Sequence, residues 1–173
     1  MDFTFETLYD QRALTAIARA VRKIYRRRSS FLMRLFGLLV VALGVYNSSP
    51  LSGNEFSFTV RSMISYAALF MILVSVLFED SVNGLIARSK LPRGDYVVDS
   101  HFEDDVITLQ SSARVNSCQY QRINHLAETR HYFLFVFDEH HAEIFEKDTL
   151  AGITEEEFRV FIKNKTGKEF QKI

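Results

Sequence analysis

The sequence predicts a membrane-embedded hairpin of two transmembrane helices joined to a soluble α+β domain. Two long stretches, 35–53 and 62–78, carry no charged residue, and each is close in length to a helix that crosses a bilayer. Residues 79–173 contain all five histidines and, in their later part, alternate apolar with polar side chains as strands do. Equal totals of 21 basic and 21 acidic residues hide a net charge of +5 over residues 1–34 and −5 over residues 79–173.

The uncharged stretches predict spans at about 31–49 and 57–78, because a spanning helix needs roughly 17–25 mainly apolar residues. Helices of a soluble bundle would need a polar face, and Phe36–Tyr46 has none. A cleaved signal peptide would need a short basic lead-in and a small-residue cleavage site, which this chain lacks. We therefore expect a hairpin at 31–78, between a basic arm at 1–30 and a soluble domain at 94–173.

The distribution of lysine and arginine predicts the orientation. Eight lie in residues 1–34, at or before the inner end of the first span, and none lies in the connection Asn47–Glu55. Arg88, Lys90 and Arg93 follow the second span. Positively charged loops stay in the cytoplasm. We therefore expect a multi-pass protein of the cell membrane with both termini in the cytoplasm and only the connection facing outward.

The basic arm is expected to form an amphipathic helix that leads into the first span. Its basic cluster consists of Arg22, Lys23, Arg26, Arg27 and Arg28. We interpret this cluster as a topology signal at the membrane surface, where anionic headgroups of the lipid bilayer attract it. Docking of the arm on the acidic C-terminal domain is a second interpretation. Nucleic acid is not an expected partner, because no recognisable nucleic-acid-binding fold accompanies the cluster.

Arg34 and Arg61 are the charges nearest to hydrocarbon depth. Both lie near span ends, where a long side chain can reach the headgroups. An antiparallel hairpin also brings Arg34 level with Glu79 and Asp80, so we expect an ion pair there. Neither span contains Asp, Glu or His, which leaves no ligand for an ion pathway. Two helices would form a pore only in a homo-oligomer, a state that the sequence leaves open.

Residues 94–173 are expected to form a pleckstrin-homology-like (PH-like) domain, a bent antiparallel sheet closed by a C-terminal helix. Thr154–Glu157 matches a capping box that begins a helix, and Asn164 and Gly167 are stop signals. Six segments have the composition and alternation of strands. They are Asp95–Phe102, Asp105–Gln110, Ala113–Tyr120, Asn124–Thr129, His131–Asp138 and His141–Glu146.

We expect this domain to fold alone. Loss of a buried phenylalanine costs about 3–5 kcal/mol, so Phe161→Ala should unfold it. Phe3-Thr-Phe5 alternates like a short strand, and the sequence leaves open whether it returns as a missing edge strand. The expected core consists of Val97, Phe102, Val106, Leu109, Ile123, Phe133, Phe135, Phe137, Ile144, Phe158 and Phe161.

The chain resembles the YcxB-like family of small bacterial membrane proteins. The resemblance rests on the basic segment, the two-helix hairpin and four short patterns in the C-terminal half, with Lys147 at the position of a lysine usual in the family. It implies a membrane protein with a cytoplasmic PH-like domain and implies no catalytic residue. The four patterns are Tyr120–Ile123, Glu128–Phe135, Phe145–Lys147 and Thr154–Phe158.

We expect neither an enzyme nor a cofactor. Asp138–His141 is the densest polar cluster, but its two adjacent histidines would point to opposite faces of a hairpin, which favours a turn over metal ligands. Cys118 with His125 or His131 would be a nucleophile pair only if a third group oriented them. No such motif is present, so we interpret Cys118 as structural.

The function expected is that of a non-catalytic, membrane-anchored PH-like interaction module at the cytoplasmic face of a bacterial membrane. Because the domain is acidic, a protein or the chain's own basic arm is a better partner for it than an anionic headgroup. One alternative is a bacteriocin- or toxin-immunity protein, for which two spans without an active site are a common format. The other is an accessory subunit of a transporter or membrane enzyme.

Overall fold

The computed structural model describes residues 3–48, 60–92, 96–112 and 114–173. Within them the chain forms five α-helices and eight β-strands, which confirms the α+β class. Residues 49–55 of the expected outward connection lie outside the described residues. The side chain of Arg61 is not described either. In chain order the elements are β1 (Phe3–Leu8), α1 (Gln11–Tyr25), α2 (Arg27–Ser48), α3 (Val60–Leu77), α4 (Glu79–Lys90), β2 (Val97–Phe102), β3 (Val106–Ser111), β4 (Val115–Gln119), β5 (His125–Glu128), β6 (Tyr132–Val136), β7 (Ala142–Glu146), α5 (Glu155–Thr166) and β8 (Phe170–Lys172).

The first sheet joins the strands that precede and follow the four helices α1 to α4. It is antiparallel with the strand order β1-β2-β3-β4. Phe3 pairs with Phe102 at one end of the β1–β2 ladder, and Leu8 pairs with Val97 at the other. The chain therefore leaves the sheet at Leu8, forms four helices, and returns to the neighbouring strand.

The soluble domain is consequently split around the hairpin. Phe3 and Phe5 are each 1% exposed, so β1 is a core strand of the domain, not part of a free arm. The boundaries expected from the sequence, an arm at 1–30 and a domain at 94–173, are corrected accordingly. The alternation of apolar and polar residues indicates a strand. It does not show that the partner strand lies beyond four helices in the sequence.

The second sheet has the order β7-β6-β5-β8, with β8 parallel to β5 and the other pairs antiparallel. Its strand β6 is buried on both faces. Phe133 and Phe135 face the aromatic core, so Leu134 and Val136 face the opposite side, where α1 packs. This double burial explains why the predicted strand His131–Asp138 contains the continuous apolar run Tyr132–Phe137.

Phe158 of α5 occupies the centre of the aromatic core between the two sheets. It is fully buried. Its ring centroid lies 4.8 Å from that of Phe133, 5.0 Å from that of Phe5 and 5.3 Å from that of Phe102. Phe158 therefore connects α5 with both sheets at once.

Three expected core residues, Val97, Val106 and Phe161, are only partly buried. The side chains of a strand alternate between its faces. In β2 the inward positions are therefore Val98, Ser100 and Phe102, and in β3 the inward position next to Val106 is Ile107. The other expected core residues are buried, and the list is Phe102, Leu109, Ile123, Phe133, Phe135, Phe137, Ile144 and Phe158.

The predicted limits of α5 are confirmed. Glu157 N donates to Thr154 Oγ1 at 3.3 Å, and Thr154 N donates to Glu157 Oε2 at 2.9 Å, which completes the capping box. Gly167 follows the helix with φ of 69°. Glycine suits this left-handed position because a Cβ atom would be strained there.

Helix α1 covers the outer face of the second sheet. Asp10 caps its N-terminus, since Asp10 Oδ1 accepts from Ala13 N at 2.7 Å. The buried face of the helix is narrow and consists of small residues with one leucine. Its members are Ala13, Leu14, Ala16 and Ala20.

Helices α2 and α3 form an antiparallel pair that closes over two glycines. A Cβ on Gly37 would lie 2.5 Å from Val76 Cγ2, and one on Gly44 would lie 2.7 Å from the Leu69 methyl carbons. Within the described residues, α2 contains one segment long and apolar enough to cross a membrane, Arg27–Tyr46. A second candidate is the segment Met63–Leu77 of α3 taken together with α4, which follows it across a bend of 91°.

Helix α4 is an element that the sequence patterns did not predict. It begins directly after Phe78 and packs antiparallel on α1. Gly84 allows this close contact, because a Cβ there would lie 2.5 Å from Thr15 Oγ1 and 2.9 Å from Thr15 N. The pair α1–α4 thus lies between the hairpin and the soluble domain.

Candidate membrane interface

The end of α1 and the start of α4 are joined by an ion pair with two hydrogen bonds. Arg22 Nε lies 2.6 Å from Asp80 Oδ1, and Arg22 Nη2 lies 2.8 Å from Asp80 Oδ2. Arg19 Nε lies 3.6 Å from the same carboxylate. Two parallel N–H···O bonds fix direction as well as distance, so this pair holds the end of α1 against the start of α4.

A second cluster connects α2 to the first residue of α4. Arg34 Nη2 lies 3.1 Å from Glu79 Oε2, and Ser30 Oγ donates to the same oxygen at 2.5 Å. The structure thus places Arg34 with Glu79, whereas Asp80 belongs to Arg22. Ser30 and Arg19 were not singled out in the sequence, although Arg19 and Arg22 share a helix face at a spacing of three.

The five residues of the basic cluster predicted for the membrane surface differ in their contacts. Arg22 is engaged by Asp80, and Arg26 Nη2 lies 3.9 Å from Glu139 Oε2 on the soluble domain. Lys23, Arg27 and Arg28 make no ion pair with any residue that the structure describes.

An open pocket of about 750 Å³ lies beside the first turns of α2. Guanidinium groups bind phosphate oxygens through paired donors, and the apolar lining residues suit acyl chains. The pocket can therefore hold an anionic group that carries a hydrophobic tail. Its lining consists of Arg22, Arg27, Arg28, Ser30, Phe31, Leu32 and Arg34.

The soluble domain contains a buried charged cluster. Glu128 and Lys147 are 7% and 8% exposed, and Arg159 Nε donates to Glu128 Oε2 at 2.9 Å. Lys147 Nζ lies 3.6 Å from the same oxygen and 4.4 Å from the centre of the Phe133 ring. This cluster fixes α5 to the second sheet.

Two positive charges flank the buried carboxylate of Glu128. Burial alone would raise the pKa of Glu128, but the hydrogen bond from Arg159 and the positive charges of Lys147 and Arg159 leave that pKa below its usual range. Lys147 is the lysine matched to the YcxB-like pattern, and its burial beneath α5 is a structural role.

The polar cluster Asp138–His141 forms a turn. His140 N donates to Asp138 Oδ1 at 2.7 Å. His141 Nε2 lies 3.1 Å from Glu143 Oε1, and this contact raises the pKa of His141. Among the described residues, no group of three or more His, Cys, Asp or Glu side chains is placed to hold a metal ion.

Cys118 is buried in β4. Burial raises its pKa to about 11, so the thiolate that a nucleophile needs is scarce at neutral pH. The surroundings of Cys118 therefore suit a structural side chain.

No family model, no curated protein and no solved structure matches this chain. The protein is therefore classified by its fold and by the contacts between its helices. It is an α+β protein whose two sheets enclose an aromatic core and whose chain makes an excursion of four helices between the first two strands. That excursion contains one candidate membrane span, or two.

Proposed function

We propose that this protein is a non-catalytic interaction module, anchored by two transmembrane helices at the cytoplasmic face of a bacterial membrane, and that it is a member of the YcxB-like family. Helices α2 and α3 are the two spans. The soluble domain is PH-like and is held directly on the inner leaflet, where it binds a protein partner.

One observation carries the anchoring. Only 11% of the candidate span Arg27–Tyr46 is buried inside the structure, so most of its apolar side chains are not covered by protein. A surface of this kind marks a contact with lipid or with another apolar surface. Because α3 packs antiparallel to α2, and its 18 residues extend about 27 Å, both helices are suited to a hydrocarbon core of about 30 Å.

Two observations argue against α2 as the core helix of a soluble protein and against α2 as part of a cleaved signal peptide. A core helix of a soluble protein would be mostly buried, and α2 is not. Cleavage of a signal peptide after α2 would remove β1, including the buried Phe3 and Phe5. The retained N-terminal strand therefore supports a membrane anchor within the mature chain.

The order of elements supports the PH-like assignment. A four-stranded antiparallel sheet is followed by three antiparallel strands and a helix that closes the core. Two features differ from a bare PH-like plan: the hairpin lies between β1 and β2, and β8 is added beside β5. Insertion between β1 and β2 places one end of the sheets next to the membrane.

The outer strand β4 is the surface that we assign to the partner. Its free edge has no partner strand among the described residues, and Val115 is 64% exposed. Unpaired backbone groups on an exposed edge can accept an extended peptide as an additional strand. The proposed partner is therefore a protein with an extended segment near the membrane.

Site-specific photo-crosslinking in cells tests the binding function. A photoreactive residue at Val115 should give a discrete adduct with a second protein. The same residue at Val160, which is 59% exposed on α5, is the matched control and should give none. Absence of an adduct at Val115, or equal adducts at both positions, contradicts the assignment.

Thiol labelling tests the orientation. Ser52→Cys should react with an impermeant reagent on intact cells, whereas Val160→Cys should react only after permeabilisation. Cys118 is a poor reporter because it is buried and its pKa is raised to about 11. Labelling of Val160→Cys from outside the cell would reverse the proposed topology.

A further inference from the structure

Helix α4 has two opposite faces with different environments. One face contains Asp80 and Gly84, which contact α1. The opposite face is an apolar stripe, which we define as Phe78, Val82, Leu85 and Ile86. These positions recur at the spacing of one helix face. Phe78 and Leu85 are each 56% exposed, and Ile86 is 50% exposed.

The direction of α4 differs from that of the spans. Its axis is bent by 91° from the segment Met63–Leu77 of α3. If α3 crosses the bilayer, α4 therefore runs in the plane of the membrane. Helix α1 packs antiparallel along α4 on the side of Gly84, so it also runs parallel to the membrane surface.

The contacts of Glu79 give the order of these two layers. Ser30 and Arg34 lie four and eight residues beyond Arg26, which is about 6–12 Å further along α2 toward the outer leaflet. Both are bonded to Glu79, the first residue of α4. Packed helices lie about 8–10 Å apart. Helix α4 is therefore one helix layer closer to the centre of the bilayer than α1. The apolar stripe, opposite to α1, consequently faces the bilayer.

We infer that α4 is an in-plane membrane helix whose apolar stripe inserts into the cytoplasmic leaflet, at the boundary between headgroups and acyl chains. The inference rests on the proposed membrane anchoring and adds a second, separate lipid contact to it. An amphipathic helix parallel to the surface buries its apolar face at this depth.

The adjacent charges favour lipid as the occupant over a second copy of the chain. Arg27 and Arg28 lie at the start of α2, on the headgroup side of Ser30 and Arg34, and have no acidic partner among the described residues. Anionic headgroups supply the missing negative charge. The stripe and these arginines are thus both suited to a leaflet that contains anionic phospholipid.

Tryptophan fluorescence tests this placement in the full-length chain. The protein contains no tryptophan, so each single substitution introduces one unique reporter. Leu85→Trp reports the stripe, Phe70→Trp reports the middle of α3, and Val160→Trp reports the soluble surface. All three replace exposed apolar side chains, and the emission is measured in vesicles that contain anionic phospholipid brominated either near the glycerol or near the chain end.

The inference predicts a different response at each position. Leu85→Trp should emit at shorter wavelength than Val160→Trp and lose more emission to bromine near the glycerol than to bromine near the chain end. Phe70→Trp should show the reverse preference, and Val160→Trp should lose no emission to either. Ile86→Trp should behave as Leu85→Trp does, which guards against a local effect of one substitution.

Three results would overturn the inference. If Phe70→Trp is quenched and Leu85→Trp emits as in water, the anchoring holds and the in-plane helix is wrong. If neither position is quenched, the membrane anchoring itself is wrong. If Leu85→Trp emission is shifted but unquenched, and the shift disappears on dilution of the protein in lipid, a second copy covers the stripe.

Discussion

The split of the soluble domain predicts that residues 94–173 do not fold alone, contrary to the expectation from the sequence. This fragment lacks β1 and α1. It therefore loses two phenylalanines from the aromatic core, Phe3 and Phe5, each 1% exposed in the full chain. It also exposes Leu134 and Val136 on the outer face of β6, both fully buried in the full chain.

The size of the loss follows from these residues. Removal of a buried phenylalanine costs about 3–5 kcal/mol, so the loss of both costs about 6–10 kcal/mol. The total stability of a domain is about 5–15 kcal/mol, and small domains lie at the lower end. The loss of β1 alone is therefore comparable to the whole free energy of unfolding.

A matched control retains the core and removes only helices α2 and α3. Residues 27–78 are replaced by a short flexible linker from Arg26 to Glu79, whose neighbours Arg22 and Asp80 are in contact at 2.6 Å. This variant keeps β1, α1 and α4. Both polypeptides are measured in the same mild detergent, because the apolar stripe of α4 remains in the control.

Thermal unfolding followed by circular dichroism, with amide NMR spectra, distinguishes the two outcomes. The control should show mixed α and β structure and a cooperative transition. The fragment 94–173 should show neither a transition nor dispersed amide signals. A cooperative transition in the fragment would refute the reasoning, since it would show that β1 and α1 are dispensable for the fold.

Three further predictions concern single positions, each measured as the thermal unfolding of the full chain in detergent. Phe158→Ala should destabilise the soluble domain by about 3–5 kcal/mol, and Phe161→Ala should cost clearly less because its ring is partly exposed; equal losses would contradict the placement of α5. Arg34→Ala should cost about 1 kcal/mol or less, whereas Arg34→Glu should cost more and be partly rescued by Glu79→Lys; no rescue would argue against the pair. Gly84→Ala should destabilise the chain by about 1–3 kcal/mol through overpacking against α1, and an unchanged midpoint would mean that the two helices are not in close contact.

Local signals in the sequence determined β2 through β7 and α5 in the C-terminal half, but they did not reveal β8. The six predicted strand segments correspond to β2 through β7, and the capping box at Thr154 and the stop at Gly167 bound α5 in the structure. These signals act between residues that are near neighbours in the chain. Local pattern is therefore sufficient to recognise them.

Long-range partners were decided only by the tertiary structure. The alternation of Phe3 and Phe5 indicated a strand, but its place beside β2 depends on how α1 and α4 pack. The same holds for Arg22, which belongs to the predicted basic cluster but pairs with Asp80 across 58 positions of the chain.

Helix α4 illustrates the physical reason most clearly. Its sequence has no single buried apolar face, because one side meets α1 through Gly84 and a carboxylate while the apolar side is exposed. Periodicity reports amphipathicity relative to one core. Here one face of α4 contacts α1 and the opposite face is exposed. Two ion pairs fix this orientation of α4: Arg22 with Asp80, and Arg34 with Glu79.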